Sequence, residues 1–285
     1  MVNRLTRTSF LNAVACPRLG WYSRLDNPPV QLSPEQDTLA ARFRVDEERE
    51  VHARAQALFP DASMVTRQAY EAACWQTQDL LDRPSTTAIL EAAFSAGPAR
   101  ARADAIVRTG DTWHLYDVKL QTSVTAGLID EIAFVYMVLL ASGVRLGGAS
   151  VLLISTDYRP GLPDTALFSR MDVSDRVVSR AEQFTQTSAE VDAKSRTAEP
   201  PAASLILHCR ICPLFSTCTG SGVRHPVFEL PHVTSRQLEQ FLARGYETVT
   251  DIPESTALSR EQTSMRLSVT TGEMVLADDL RGALD

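Results

Sequence analysis

Two segments, Arg100-Ala101-Arg102-Ala103-Asp104-Ala105-Ile106-Val107 and Trp113-His114-Leu115-Tyr116-Asp117-Val118-Lys119, decide how the chain folds. Both alternate along the chain with the two-residue period of a strand, and Gly110-Asp111 between them makes a turn. A third strand-like run, residues 87–94, precedes them across Gly97-Pro98, so this region reads as an antiparallel meander. Outward from it, residues 128–141 read as a buried helix and 149–155 as an apolar strand. A helix over 173–193 follows, with Asp172 as its N-cap. Upstream, residues 3–25 read as a short helix and turn carrying Cys16, Asn27-Pro28-Pro29 breaks the chain, and a long helix runs from Ser33 to about Phe59 with Pro34 at its first position. Leu39, Phe43, Val51, Ala55 and Leu58 are expected to form its buried face. A short helix near 75–81 comes before the meander. Downstream, a Pro/Ala-rich connector over 197–203 leads to a cluster of cysteines and a polar tail with helices near 235–244 and 259–265. This order predicts an α/β fold, a mixed central β-sheet flanked by helices.

The chain has 285 residues, 44% hydrophobic and 22% charged, enough for a packed core and too apolar for wholesale disorder. Its 28 basic and 35 acidic residues leave a net charge of -7, which argues against a surface coated in positive charge for nucleic acid. A local basic groove is not excluded, and Arg100, Arg102 and Arg108 are the candidates to line one. No stretch approaches the roughly 18–20 apolar residues of a membrane helix, so the expectation is a cytoplasmic protein with no membrane partner.

The chemistry concentrates on the two deciding segments. If they pair as a hairpin, Asp104 comes beside Asp117, and strand alternation puts Asp117 and Lys119 on one side. Two carboxylates suit Mg²⁺ or Mn²⁺, which prefer hard oxygen ligands, and an adjacent ammonium can orient a water or stabilise developing negative charge. That combination fits phosphodiester hydrolysis. The bland alternative is a solvated hairpin whose Asp and Lys have no special task. Against it stands the lysine count: Lys119 and Lys194 are the only two lysines among the 28 basic residues. Arginine's fixed charge and bulkier fork would not serve the same chemistry. A further ligand is expected from the long helix, where Glu47, Glu48, Glu50 and His52 are candidates. His52 is singled out because imidazole accepts Mn²⁺.

Cys209, Cys212 and Cys218 form C-x2-C-x5-C, and Cys16 is the natural fourth ligand for a metal centre. The alternatives are a structural Zn²⁺ and no metal at all, but zinc favours paired knuckles over C-x5-C spacing. An iron–sulfur cluster with a structural role is the favoured reading. It would join the two ends of the chain. Cys74, beside Trp75, reads as a small buried hydrophobe.

At these residues the sequence resembles the RecB-like branch of the PD-(D/E)xK nuclease superfamily, particularly its iron–sulfur members, which include CRISPR-adaptation nucleases and the AddB nuclease domain. The resemblance spans most of residues 5–220. It comprises Thr6-Arg7-Thr8-Ser9-Phe10 through Cys16-Pro17-Arg18, Val51-His52, Asp104, Asp117-Val118-Lys119 and the closing cysteines. The tail, His225-Pro226-Val227-Phe228-Glu229-Leu230-Pro231 through Asp251-Ile252-Pro253, resembles bacterial RecB-like proteins in which a further domain often follows, implying a longer parent chain. Carried over, the resemblance implies a restriction-endonuclease-like core over 1–222 and a small helical extension over 223–285. It implies that His52, Asp104, Asp117 and the Val118 carbonyl hold Mg²⁺ or Mn²⁺, that Lys119 is catalytic with the two aspartates, and that Cys16, Cys209, Cys212 and Cys218 hold a [4Fe-4S] cluster. The substrate it implies is DNA, single-stranded or at ends. Two positions depart from the family. Its helix after D-x-K usually carries Gln-x-x-x-Tyr, whereas here Asp130-Glu131-Ile132-Ala133-Phe134-Val135-Tyr136 places Val135 about where the Gln falls, with Tyr136 as the remaining DNA contact. Glu48 stands where a glycine is common before His52. The missing Gln supports a second reading, a nuclease-fold module of little or no activity that binds DNA or a protein partner.

Overall fold

The computed structural model describes residues 4–26, 28 and 39–275. The chain divides into two compact units, one reaching to Pro201 and the other beginning at Ala202.

The first unit is built on a six-stranded sheet whose spatial order follows the chain: β1 (Ser63–Met64), β2 (Ala88–Ala96), β3 (Ala99–Thr109), β4 (Thr112–Lys119), β5 (Leu146–Ile154) and β6 (Phe168–Asp172). Strands β2, β3 and β4 form the expected antiparallel meander. Parallel pairs join β1 to β2 and β4 to β5, and β6 closes the edge antiparallel to β5. The sheet is mixed and flanked by helices, as in a restriction-endonuclease-like core. Each parallel pair is bridged by a helix, α4 (Tyr70–Leu81) for β1–β2 and α5 (Ala126–Ala141) for β4–β5, because parallel neighbours need a crossover.

Helix α5 carries a nearly continuous apolar sequence and buries ten residues, so it forms the centre of the larger core. Against it lie α1 (Arg7–Ala15) and α6 (Ser174–Lys194). Phe10 of α1 is fully buried and meets the rings of Phe134 and Phe184 at 5.0 and 4.9 Å. After Cys16 the chain turns into α2 (Pro17–Tyr22), where Gly20 is required: a Cβ there would lie 2.2 Å from that of Ala13. Asp172 caps α6 from one residue outside the N-cap, its carboxylate accepting the Ser174 N–H at 2.9 Å.

A smaller core lies where α3 (Leu39–Ala55) meets Leu90, Ala105, Tyr116, Val118 and Leu152. The predicted start of this helix at Ser33 falls outside the described residues. Its predicted buried face needs correction, because Leu39 and Phe43 are 71% and 60% exposed, and Val51 and Ala55 are the buried residues of the helix. The reason is geometric: only the last turns of α3 overlie the sheet.

In the second unit, 3₁₀ turns over Leu207–Ile211 and Phe215–Thr217 carry the cysteines, followed by α7 (Ser235–Leu242) and α8 (Arg260–Thr271). Cys209 is buried with Val227, Phe228 and Leu230, and the Arg210 guanidinium donates to the Phe228 carbonyl. The cysteine segment is thus built into the core of the second unit, and the division at Pro201 precedes it. Among the described residues no helix is long and apolar enough to cross a membrane.

Candidate metal centre

Strands β3 and β4 pair from Thr109↔Thr112 to Ala105↔Tyr116. One step further, in the same register, Asp104 faces Asp117, and there the ladder opens. The Val118 N–H turns to the Asp104 side chain and donates to its Oδ2 at 2.7 Å. The opened ladder places two carboxylates side by side at the end of the hairpin, Asp104 half-buried and Asp117 buried.

Asp117 is 4% exposed. Burial first, and then the nearby Asp104 carboxylate, push its pKa up to about 6. Lys119 lies on the same side, its Nζ 3.2 Å from Asp117 Oδ2 and 2.9 Å from Glu131 Oε2 on α5. The ammonium is thus ion-paired with the buried Asp117 carboxylate. Burial alone would lower the Lys119 ammonium, but Asp117 and Glu131 outweigh both burial and the repulsion of Arg7, so it is held above its ordinary value. Lys119 is therefore a cation at neutral pH and a donor rather than a base.

The other half of the site comes from α3 and β2. His52 Nδ1 lies 3.9 Å from Asp104 Oδ1. Burial raises the Asp104 pKa, opposed by His52, the Val118 N–H and Lys119. Glu91 of β2 joins them. Its neighbours pair as Leu90↔Ala105 and Ala92↔Ala103, but Glu91 itself drops out of the ladder with a left-handed φ of 55°. One ligand atom each from His52, Glu91 and Asp104 lie within 4.8 Å of one another, a group sized for one cation. Sequence reasoning missed Glu91. The signal was there: a lone acid inside the apolar strand Ala88-Ile89-Leu90-Glu91-Ala92-Ala93-Phe94.

A polar cavity of about 360 Å³ opens over these groups, lined by Arg7, Glu48, His52, Asp104, Lys119 and Glu131 among others. A larger groove of about 620 Å³ beside Leu5, Met137 and Ala141 is apolar and gathers no comparable set of charges. The predicted metal and catalytic residues of the sheet and of α3 thus meet at one place. Four others do not line the cavity. Arg100 pairs with Glu71 and stacks on Tyr70, Arg102 donates to the Glu91 carbonyl at 3.2 Å, and Arg108 donates to the carbonyls of Leu81, Arg83 and Thr86. Tyr136 is buried at 4% exposure.

Cys16 ends α1 in the first unit, while Cys209, Cys212 and Cys218 belong to the second. Cys209 is buried, accepts the Ile206 N–H on its sulfur at 3.4 Å and donates its thiol to the Ser204 carbonyl at 3.8 Å. Cys16, Cys212 and Cys218 are half-buried. Among the described residues Cys209, Cys212 and Cys218 of the second unit do not gather within 4.8 Å of one another, the span of a single ion.

No family model matches the chain, and no curated protein matches it. Solved structures do. The crystal structure of SSO0001 is similar at 13% identity and a TM-score of 0.35, over 76% of this chain and 87% of that one. LHK-Exo, crystallised in complex with dAMP, is similar at 12% identity and a TM-score of 0.28, over 68% of this chain and 90% of that one.

Proposed function

We propose that the chain is a metal-dependent deoxyribonuclease that hydrolyses phosphodiester bonds in single-stranded DNA or at DNA ends. The observation that carries the reading is the convergence of His52, Glu91, Asp104, Asp117 and Lys119 at the opened β3–β4 ladder. His52 and the carboxylates would hold Mg²⁺ or Mn²⁺, with the Val118 carbonyl as a further ligand. When bound, such an ion polarises the phosphate and lowers the pKa of water. Lys119, fixed between Asp117 and Glu131, donates a hydrogen bond to the attacking water and balances negative charge as the phosphorus–oxygen bond breaks. The cavity has the size of a small-ligand pocket and suits a phosphodiester of one strand.

The cysteines extend the proposal. Four soft thiol donors suit a [4Fe-4S] cluster, and the C-x5-C spacing is less typical of Zn²⁺, which favours paired knuckles. Its role would be structural. The second reading, a module that binds DNA or a protein partner and cuts little, draws on the sealing of Val135 and Tyr136 in the core, where neither can touch DNA.

The test is cleavage of end-labelled single- and double-stranded DNA by anaerobically purified protein with Mn²⁺, beside Lys119→Ala. Cutting by the wild type, reduced at least a hundredfold in the variant, supports the nuclease. No cutting with Mg²⁺ or Mn²⁺, together with DNA binding that persists in EDTA, would give the binding module the lead.

A further inference from the structure

We propose that Arg7 anchors the substrate in this site, its guanidinium holding a non-bridging oxygen of the scissile phosphodiester. The inference rests on the nuclease reading and adds a phosphate-binding residue that the deciding motifs do not contain.

Position comes first. Arg7 is the first residue of α1 and stands one turn before Phe10, whose burial against α5 and α6 fixes the helix. The side chain lines the cavity with 41% of it exposed. Its surroundings differ from those of Lys119. Lys119 is drawn tightly to Glu131, at 2.9 Å, and lies 3.2 Å from Asp117 Oδ2. Arg7 Nη1 lies 3.6 Å from Glu131 Oε2 and 3.9 Å from Asp117 Oδ1, too far for hydrogen bonds. Its donors remain available to a ligand.

Charge points the same way. Glu48, Asp104, Glu131 and the underlying Asp117 oppose only Arg7 and Lys119, so the site is negative until a divalent cation enters. With that ion present the carboxylates are compensated, and a phosphate can approach. Of the two cations, Lys119 is already committed, and both share one oxygen of Glu131. Two cations on one carboxylate oxygen repel each other, and an incoming anion relieves that repulsion. The guanidinium fork suits two phosphate oxygens, whereas an ammonium acts as a point charge. The competing explanation is that Arg7 only balances the charge of Asp117.

The experiment uses the full chain with Arg7→Gln and Arg7→Lys, folding checked by circular dichroism. Binding of a fluorescent single-stranded oligonucleotide is measured with Ca²⁺, cleavage with Mn²⁺, and Mn²⁺ affinity by electron paramagnetic resonance without DNA. Arg7→Gln should weaken DNA binding roughly tenfold and raise KM more than it lowers kcat, leaving Mn²⁺ affinity unchanged or tighter. Arg7→Lys should recover part of the loss. Wild-type cleavage with unchanged DNA affinity in Arg7→Gln would overturn the anchor alone. If the wild type neither binds nor cuts DNA, the nuclease reading falls, and the anchor falls with it.

Discussion

Asp117 sits where a carboxylate is expensive. It is 4% exposed beside another carboxylate, and its pKa is pushed up to about 6. An unfolded aspartate titrates near 3.9, so between about pH 4 and 6 the folded chain binds a proton that the unfolded chain has lost. Stability must fall as pH rises through that window, and it stays lower above it. The metal-free protein at pH 8 thus carries a cost of about 2–3 kcal/mol, since each pKa unit is worth about 1.4 kcal/mol. Asp117→Asn removes the charge and leaves Lys119 its contact with Glu131. In EDTA at pH 8 this variant should melt about 3–6 °C above the wild type, and the gap should fall to about half at pH 5 and close near pH 4. Mn²⁺ should reverse the order, because only the wild type gains a ligand, and cleavage should be lost. A variant less stable than the wild type in EDTA at pH 8 would refute this account of the site.

Strand β2 shows what one kink does to an element. A left-handed backbone at a residue other than glycine costs about 1–3 kcal/mol, and here it takes Glu91 out of the ladder and toward His52 and Asp104. Arg102 holds the kink through the Glu91 carbonyl, with its guanidinium over the Tyr70 ring at 5.6 Å. Arg102→Met should therefore lower Mn²⁺ affinity about five- to tenfold with the fold intact, and Glu91→Gln should cost about ten- to a hundredfold. A Mn²⁺ titration by electron paramagnetic resonance checks both, and unchanged affinity in Glu91→Gln would remove it from the ligand set. The sequence made strands β2 to β4 legible because a two-residue alternation and glycine turns mark them, and Asp104, Asp117 and Lys119 followed from the hairpin. Glu91 was hidden because its placement depends on a φ angle that no spacing encodes. Strand β6 escaped notice because Phe168–Asp172 is a half-exposed edge that pairs through its backbone and buries no face. Leu39 and Phe43 misled because helical spacing marks a face without saying how much of the helix reaches the sheet.

The chain divides into two compact units, and its cysteines are split between them. Cys16 belongs to the first unit, and Cys209, Cys212 and Cys218 to the second. All three tryptophans, Trp21, Trp75 and Trp113, lie in the first unit, so their fluorescence reports its unfolding, while circular dichroism reports both units. If the four thiols share one cluster, Cys16→Ser and Cys212→Ser must lose iron and the broad visible absorbance to the same extent, although the residues stand in different units. Losing a structural centre that closes a loop of nearly two hundred residues should destabilise by several kcal/mol. The smaller second unit should suffer most, because a single core of that size supplies only about 3–5 kcal/mol. The circular dichroism transition in both variants should then split, with a low-temperature phase that tryptophan fluorescence does not follow. Mn²⁺ binding at His52 and Asp104 should survive, since neither variant touches the sheet. Iron retained in Cys16→Ser but lost in Cys212→Ser would place the fourth ligand within the second unit. His208, beside Cys209 and with its pKa lowered by burial, would be the first residue to examine there.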